Sequence, residues 1–293
     1  MLDWRYREGA GVKIFGNLPS LSLILLPGPE RAGMGDPADL AGLIDRYKAE
    51  GWVKEAGAHS IDLTRDEVAF EYDSRREFRA ASTIKLAIAC EVLRQAEAGA
   101  FKMGQPLRRG DLVGGSGLLR LMKDEVKPTP SSMLNLMLDV SDNSATNWLI
   151  DLVGKPNVNR LMGRYSLDIH LSGRLMRPKK RPNTATPEAM SRLMGLVHRR
   201  KMVSPWVSSR LVQVLRFQQH LDMIPGGLPG ERVRCVNKTG GLDDLRADVG
   251  VVWGRGYAYT VAMFVEGFED GYRGGSLVRE ASHALWESLG AKR

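Results

Sequence analysis

The sequence predicts an α+β protein in which helices flank a five-stranded antiparallel sheet and an all-helical lobe is inserted between the strands. Three observations predict this fold: two strand patterns early in the chain, helical patterns in the middle, and three more strand patterns before a last helix. The 293 residues are enough to bury a large core without disulfides. If all five strands join one sheet, both ends of the chain pack on it and a cleft separates the two lobes.

The early part of the chain carries one helix pattern and two strand patterns. A helix is predicted from Asp36 to Glu50, because aspartate caps a helix, the following proline suits its first turn, and Gly51 ends the pattern. The next two segments, His59 to Thr64 and Glu67 to Tyr72, are joined by a polar turn. They are therefore predicted to be two paired strands.

The middle of the chain is predicted to be helical. From Ser82 to Ala98 apolar residues recur at helical spacing, and Gly99 ends the pattern. Prolines that follow capping residues mark two more helix starts, at Thr186-Pro187 and Ser204-Pro205. The other clear helix patterns span Ser131 to Val140, Asn143 to Val153 and Pro187 to Arg200.

The last quarter of the chain returns to strands and ends in a helix. These elements are predicted at Arg232 to Asn237, Ala247 to Trp253, Tyr257 to Val265 and Ser276 to Leu289. One domain is therefore predicted over residues 37–293, with a sheet lobe at about 37–80 and 225–293 and a helical lobe at about 81–224.

Residues 1–36 have an unusual composition, in which Gly, Pro and Arg surround a short apolar run from Leu21 to Leu26. The basic start before this run is similar to a secretory signal, but Asn17, Pro19 and Pro27 interrupt it and no clear cleavage site follows. The segment is predicted to be an N-terminal extension, as a mobile tail or an added edge strand. It predicts no compartment.

The net charge of +8 comes from one segment. Residues 174–201 contain nine basic residues and a single acid, Glu188, so the rest of the chain is balanced. Such a segment suits a phosphate, an anionic polymer or an acidic substrate, or it is a solvated surface. Because it has no interleaved aromatic residues and no nucleic-acid motif, nucleic acid is not a predicted partner.

The composition also argues against several other classes of protein. No apolar stretch approaches the roughly 18 residues that cross a bilayer. The two cysteines, Cys90 and Cys235, form at most one bridge and are predicted to be small core residues. The five histidines include no pair at metal-ligand spacing, so no metal or other cofactor is predicted.

Three short motifs carry the functional signal: Ser82-Thr83-Ile84-Lys85, Ser141-Asp142-Asn143 and Lys238-Thr239-Gly240. A Ser-x-x-Lys motif arises about once by chance in a chain of this length, whereas each of the other two arises in roughly one chain in twenty. The three stand at a predicted helix start, an interhelix loop and a strand end. Their joint occurrence predicts an active site.

The spacing of the first motif places a base beside a nucleophile. Residues three apart lie on one helix face, so Lys85 reaches the hydroxyl of Ser82. At a helix N-terminus Ser82 lies among unpaired N–H groups that stabilise an oxyanion and oppose a cation on Lys85. The nearby cation of Lys238 lowers the pKa of Lys85 further, which suits it to act as a general base.

The other two motifs are predicted to hold the substrate and move its protons. Ser141 relays a proton to the leaving group, and the amide of Asn143 holds Lys85 and a substrate carbonyl. Lys238 and Thr239 offer a charge and a hydroxyl to a substrate carboxylate. Gly240 and Gly241 let the substrate lie against the backbone.

These motifs resemble those of the serine-lysine acyl transferases, namely penicillin-binding proteins and class A β-lactamases. The resemblance covers about 37–290 and includes Ala81, Gly115-Ser116-Gly117, Thr184-Ala185-Thr186-Pro187 and Asp248-Val249-Gly250. It implies a sheet flanked by helices with an all-helical lobe, and a serine hydrolase that β-lactams or related amides acylate at Ser82. It also implies an oxyanion hole formed by the backbone N–H groups of Ser82 and Gly241, and work outside the cytoplasm.

One part of the family pattern is absent. Class A enzymes carry a Glu-x-x-Leu-Asn motif before the helix at Thr186, and its glutamate activates the water that hydrolyses the acyl-enzyme. Between Tyr165 and Pro187 this sequence has only Asp168 as an acid. Counting back from Thr186 puts His170 at the glutamate's place, and counting forward from Ser141 puts Met176 there. Slow deacylation is therefore predicted.

Two other hypotheses follow from the same motifs. The first is an esterase or D,D-peptidase-like hydrolase, whose acyl-enzymes need no glutamate to turn over. The second is a penicillin-binding receptor module that stays acylated. In each case Arg246, eight residues after Lys238, either reaches a substrate carboxylate or makes a surface ion pair.

Overall fold

The computed structural model describes residues 40–122, 127–178, 180–230 and 233–291. The predicted extension at 1–36 and the predicted helix start at Asp36-Pro37 lie outside these residues. The strands are β1 (Glu55–Asp62), β2 (Glu67–Tyr72), β3 (Phe78–Arg79), β4 (Ile169–His170), β5 (Thr184–Ala185), β6 (Arg234–Leu242), β7 (Leu245–Gly254) and β8 (Tyr257–Glu266). The helices are α1 (Leu40–Ala49), α2 (Lys85–Glu97), α3 (Leu119–Met122), α4 (Pro130–Asp139), α5 (Asn143–Val153), α6 (Lys155–Arg164), α7 (Pro187–His198), α8 (Pro205–Leu215) and α9 (Gly271–Leu289).

Five strands form one antiparallel sheet in the order β2-β1-β8-β7-β6. Short turns join β1 to β2, β6 to β7 and β7 to β8, and the pairing of β1 with β8 brings the two ends of the domain together. This arrangement confirms the predicted α+β fold. It also makes β6, which carries Lys238, an edge strand whose free backbone groups are open to a ligand.

The two faces of the sheet support two apolar clusters, because alternate residues of a strand point to opposite faces. On β7, Val251 belongs to the cluster shared with the helical lobe, whereas Val252 belongs to the cluster under α1 and α9. At the centre of the first cluster, every residue of α2 from Lys85 to Leu93 is buried. The helix that carries the first motif is therefore held rigidly between the sheet and the other helices.

Side-chain caps begin the helices that the sequence predicts. The side chains of Thr129, Asp142, Thr186 and Ser204 each accept a backbone N–H from the residue three positions later. These bonds satisfy N–H groups that have no partner within the helix. None of the described helices is long and apolar enough to cross a membrane.

The structure differs from the sequence-based elements at several places. Helix α9 begins at Gly271, five residues before the predicted start, because Asp270 caps it. Two glycines in its first turns, Gly274 and Gly275, have low helix propensity and hide the pattern. The small sheet of β3, β5 and β4 was not predicted, since strands of two residues carry no periodicity. Helix α6 was not predicted either.

Both cysteines are unpaired. Cys90 is fully buried on α2, and burial raises the pKa of its thiol to about 12. Burial likewise raises the pKa of Cys235 well above its ordinary value. Neither thiol is therefore a thiolate at neutral pH. Cys90 is a core residue as predicted, whereas Cys235 is partly buried at the edge of an apolar cluster.

Candidate active site

A tight turn presents Ser82 at the start of α2. Residues Ala81–Ile84 form a single 3-10 turn, and the α-helix begins only at Lys85, so the predicted helix start at Ser82 is one turn too early. Ala81 has a positive φ of +44°, a left-handed conformation that costs free energy outside glycine. As a result the Ser82 side chain is partly exposed, while Lys85 is buried beneath it.

Strand β6 lies directly against this turn. A Cβ atom at Gly240 would stand only 3.1–3.2 Å from Thr83 Cγ2, the Ala80 carbonyl oxygen and Ala81 Cβ. Glycine at this position therefore allows the close approach of strand and turn. The following residue, Gly241, is exposed on the same edge strand, and its backbone lies beside the cleft.

The amine of Lys85 is the centre of a polar cluster. Its Nζ lies 2.9 Å from Ser82 Oγ, 2.7 Å from the Ser141 carbonyl oxygen, 2.9 Å from Ser141 Oγ and 3.0 Å from Asn143 Oδ1. Burial and the Lys238 cation lower the pKa of Lys85 well below its ordinary value, although Asp142 opposes them. A neutral amine has two N–H donors and one lone pair. If the carbonyl oxygens of Ser141 and Asn143 accept both N–H groups, the lone pair faces the hydroxyls.

Lys238 approaches the same cluster from β6. Its Nζ donates to Ser141 Oγ at 3.1 Å and to the carbonyl oxygen of Thr239 at 3.0 Å. Burial lowers the pKa of Lys238 to about 8, with Asp248 and Asp139 opposing the shift. The Ser141 hydroxyl therefore lies between two buried amines, and the pKa of each is lowered.

A glycine-rich loop holds the second motif in place. The Asp142 carboxylate accepts the backbone N–H of Ala145 at 2.9 Å and that of Leu119 at 2.7 Å. Asn143 donates through Nδ2 to the Gly114 carbonyl at 3.1 Å. A Cβ atom at Gly117, which has a φ of +115°, would overlap Asp142. The segment Gly115-Ser116-Gly117, which matches the family pattern, therefore packs on the Ser141-Asp142-Asn143 loop.

Replacing Asp142 with alanine is expected to destabilise the domain by about 2–4 kcal/mol. The change removes a helix cap, typically worth about 1 kcal/mol, and leaves the buried Leu119 N–H unpaired at a cost of about 1–3 kcal/mol. Asp151 on the same helix pairs with Arg174 at the surface, so Asp151→Ala is the matched control and should cost under about 1 kcal/mol. Urea unfolding of the two variants measures the difference, and equal losses would contradict this role of Asp142.

Arg246 lies on β7 opposite Gly241. Its guanidinium donates to the carbonyl oxygens of Leu242 at 2.6 Å and Leu245 at 2.9 Å, and stacks over the ring of Phe268. Among the described residues it has no carboxylate partner. It therefore braces the β6–β7 turn beside the cleft, with remaining N–H groups available to a ligand.

The two candidates for the missing glutamate lie in different places. His170 is exposed on β4, where it pairs with Thr184. Its imidazole makes no hydrogen bond to the described residues. Met176 lies beside the second motif, since its sulfur and Asn143 Nδ2 both flank the open side of Gly115. Of the two, Met176 is the one that borders the Lys85 cluster.

The neighbouring residue Leu175 was not identified from the sequence. Its backbone N–H donates to Asn147 Oδ1 at 2.7 Å, and its carbonyl accepts from Asn147 Nδ2 at 3.0 Å. Asn147 lies one helical turn beyond Asn143 on α5, so this pair of bonds fixes Leu175 next to the cleft. No motif in the sequence surrounds Leu175 or links it to Asn147.

His220 is a second residue that sequence reasoning missed. Its carbonyl oxygen accepts from Asn237 Nδ2, and Asn237 directly precedes Lys238. Although His220 is exposed as a whole residue, desolvation of the imidazole and then the Lys238 cation lower its pKa, and Lys85 contributes in the same direction. The ring therefore lies within electrostatic range of both amines. No motif surrounds His220, so only the tertiary structure reveals its place.

Comparisons with known proteins identify relatives of this arrangement. A family model described as the beta-lactamase enzyme family matches residues 39–289. The chain is similar to the solved structure of a beta-lactamase from Sphaerobacter thermophilus, with 29% identity, a TM-score of 0.79, and coverage of 87% of this chain and 98% of that one. No curated protein matches the chain.

Two further solved structures are similar to this chain in fold. PBP-A is 24% identical with a TM-score of 0.75, over 85% of this chain and 96% of that one. A beta lactamase from Burkholderia vietnamiensis is 17% identical with a TM-score of 0.77, over 88% of this chain and 98% of that one. The family match spans all three motifs and the sheet that carries them. The chain therefore belongs to the beta-lactamase enzyme family, with the fold of a β-lactamase-like serine hydrolase.

Proposed function

We propose that β-lactams or related amides acylate this protein at Ser82 and that the acyl-enzyme then hydrolyses slowly. The observation that carries the proposal is the buried amine of Lys85, which lies 2.9 Å from Ser82 Oγ and whose pKa is lowered by burial and by Lys238. A neutral amine at hydrogen-bond distance from a serine hydroxyl is the arrangement that activates a nucleophile.

In the proposed acylation, Lys85 takes the hydroxyl proton of Ser82 while Oγ attacks the carbonyl carbon of the substrate. The carbonyl oxygen becomes negatively charged, and the backbone N–H groups of Ser82 and Gly241 stabilise it. As the C–N bond breaks, the leaving nitrogen takes a proton from Ser141 Oγ. Lys85 returns its proton to Ser141 over a distance of 2.9 Å, so the amine is neutral again.

The edge strand and the second motif are proposed to orient the substrate. Lys238 carries a charge below about pH 8, and with the Thr239 hydroxyl it would bind a substrate carboxylate. Asn143 uses one N–H of its amide on the Gly114 carbonyl. Its second N–H remains for a substrate carbonyl. Arg246 would support the carboxylate from the neighbouring strand.

Slow deacylation follows from the side chains that border the cleft. The residue bonded to Asn147, one helical turn beyond Asn143, is Leu175, whose side chain is apolar and buried, and the next is Met176. Neither takes a proton from water. His170 is the other candidate for the base that activates water, and it lies exposed on β4.

The apolar side chains of Leu175 and Met176 also favour an alternative function, which is a receptor that stays acylated. A variant of PBP-A, similar to this chain in fold, is described as an acyl-enzyme complex with penicillin G. An esterase or D,D-peptidase-like activity is the other alternative, on substrates whose acyl-enzymes need no glutamate to turn over. All three share acylation of Ser82 and differ only in what happens next.

Two measurements on the wild-type protein separate these functions. Steady-state turnover of a chromogenic cephalosporin reports hydrolysis, and mass spectrometry of the intact protein reports the adduct. A burst followed by slow turnover supports the proposed function. A persistent adduct without turnover supports the receptor, turnover of esters alone supports the esterase, and no adduct with any of these compounds contradicts acylation.

Replacing Lys85 with alanine is expected to lower the acylation rate by roughly 100-fold or more, because a general base commonly contributes that much. The wild-type rate should fall as the pH decreases, since protonation of Lys85 removes the base. It should also fall above about pH 8, where Lys238 loses its charge. Stopped-flow acylation across about pH 6–9 measures both limbs, and the acid limb should disappear in Lys85→Ala.

Lys85→Arg is the control for this prediction. Arginine keeps the positive charge but stays protonated, so it cannot act as a base. We expect both variants to acylate slowly. A rate within a factor of about three of the wild type in Lys85→Ala would show that another group takes the proton.

A further inference from the structure

A cavity of about 290 Å³ lies between α7, α8 and the strands β6 and β7. Its apolar wall is formed by side chains of both helices and both strands: Met194, Val197, Val212, Val236, Val251 and Trp253. None of the residues assigned above to the active site lines it. The volume is close to the lower end of the range for small-molecule sites, about 300–1,000 Å³.

The lining of the same cavity also includes a histidine and two arginines: His198, Arg200 and Arg216. Within the described residues, neither Arg200 nor Arg216 has an ion pair or a side-chain hydrogen bond, and both are exposed. The imidazole of His198 tilts against the ring of Trp253 at 6.0 Å. An apolar cavity thus opens beside two guanidinium groups without partners.

Other arginines of the basic segment 174–201 are already neutralised. Arg174 pairs with Asp151, Arg177 with Asp111, and Arg199 with Asp66. These pairs involve acids on other parts of the chain, which the sequence alone could not assign. Unlike these three arginines, the two guanidinium groups at the cavity have no carboxylate partner among the described residues, and one of them, Arg200, belongs to this segment.

We propose that this cavity binds a small amphipathic carboxylate, with its apolar chain or ring inside and its carboxylate at Arg200 and Arg216. The apolar wall favours a hydrocarbon group through the hydrophobic effect. The planar guanidinium groups match a carboxylate in charge and geometry. A neutral or cationic amphiphile would leave these groups unpaired and would bind more weakly.

The site is separate from the cleft but shares a strand with it. Val236, in the cavity wall, lies two residues before Lys238 on β6, and both side chains therefore lie on the same face of the sheet. The proposal does not depend on acylation at Ser82. Variants of the cleft should accordingly leave carboxylate binding unchanged.

Isothermal titration with octanoate tests the proposal. One octanoate is expected to bind per chain, with 1-octanol and octylamine weaker. Arg200→Ala and Arg216→Ala should each lower the octanoate affinity by about tenfold or more, while leaving 1-octanol unchanged. Arg192→Ala is the control, since Arg192 lies in the middle of α7, does not line the cavity and lies beside Glu188. All three arginines are at least partly exposed, so the variants should fold.

Two more variants locate the bound molecule. Ser209→Trp places a bulky side chain at the cavity and should abolish binding, whereas Thr239→Ala in the cleft should not. Octanoate should change the protein fluorescence, and Trp253→Phe should remove most of that change. The proposal is overturned if octanoate does not bind, if both arginine variants bind it normally, or if Thr239→Ala loses it.

Discussion

Ser82→Ala is expected to abolish covalent labelling by a penicillin or a fluorophosphonate probe. Two serine hydroxyls lie 2.9 Å from the Lys85 amine, those of Ser82 and Ser141, so proximity to the base does not by itself identify the nucleophile. Ser82 is partly exposed and stands at the N-terminal turn of α2. Ser141 is 4% exposed and held between two amines. An incoming carbonyl therefore reaches Ser82 and not Ser141.

Ser141→Ala is the matched control, because it removes the other hydroxyl from the same amine. This variant should still be labelled, although more slowly, since the leaving group loses its proton donor. Mass spectrometry of both intact variants reads the adduct, and thermal unfolding checks that each is folded. A full adduct on Ser82→Ala at the wild-type rate would end the proposal of acylation at Ser82.

Elements with strong periodicity or clear caps could be predicted from the sequence. All five strands of the main sheet were found from strand patterns, although β1 begins four residues before the predicted start and β6 continues five residues beyond Asn237. Starts marked by a cap and proline, such as Thr186-Pro187, were found for the same local reason. The start of α9 was missed because Gly274 and Gly275 weaken the pattern, while a tertiary partner, Phe268, packs where a side chain at Gly274 would be.

The residues of the site also fall into two groups: those that a local sequence pattern predicts and those that only a tertiary contact reveals. Ser82 and Lys238 could be predicted, because each belongs to a short motif whose residues are neighbours in the sequence. Leu175 and His220 could not, because a tertiary contact with a residue of another element determines the position of each. The two counts that gave His170 and Met176 disagree by six residues, and only the bonds to Asn147 decide which part of the loop borders the site.

Acyl-enzyme breakdown is expected to limit turnover of penicillins, with a burst equal to the enzyme concentration before a slow steady state. Without a placed carboxylate, activation of the hydrolytic water loses about 100- to 10,000-fold, or about 2.7–5.5 kcal/mol. A glutamate in the right place should recover part of this rate. The two bonds to Asn147 hold the backbone of residue 175 in a fixed position, whereas Met176 is 60% exposed and would carry a solvated glutamate.

Leu175→Glu is therefore expected to speed the slow phase by roughly 100-fold or more, while Leu175→Gln, Met176→Glu and His170→Glu change it by less than about threefold. Glutamine controls for the loss of leucine, because it has nearly the shape of glutamate but takes no proton. Stopped-flow with a chromogenic substrate reads both phases. Acceleration in Met176→Glu or His170→Glu alone would move the base position to that residue. A linear trace without a burst, at a high steady rate in the wild type, would mean that the protein already has a deacylation base, and the prediction of slow hydrolysis would be wrong.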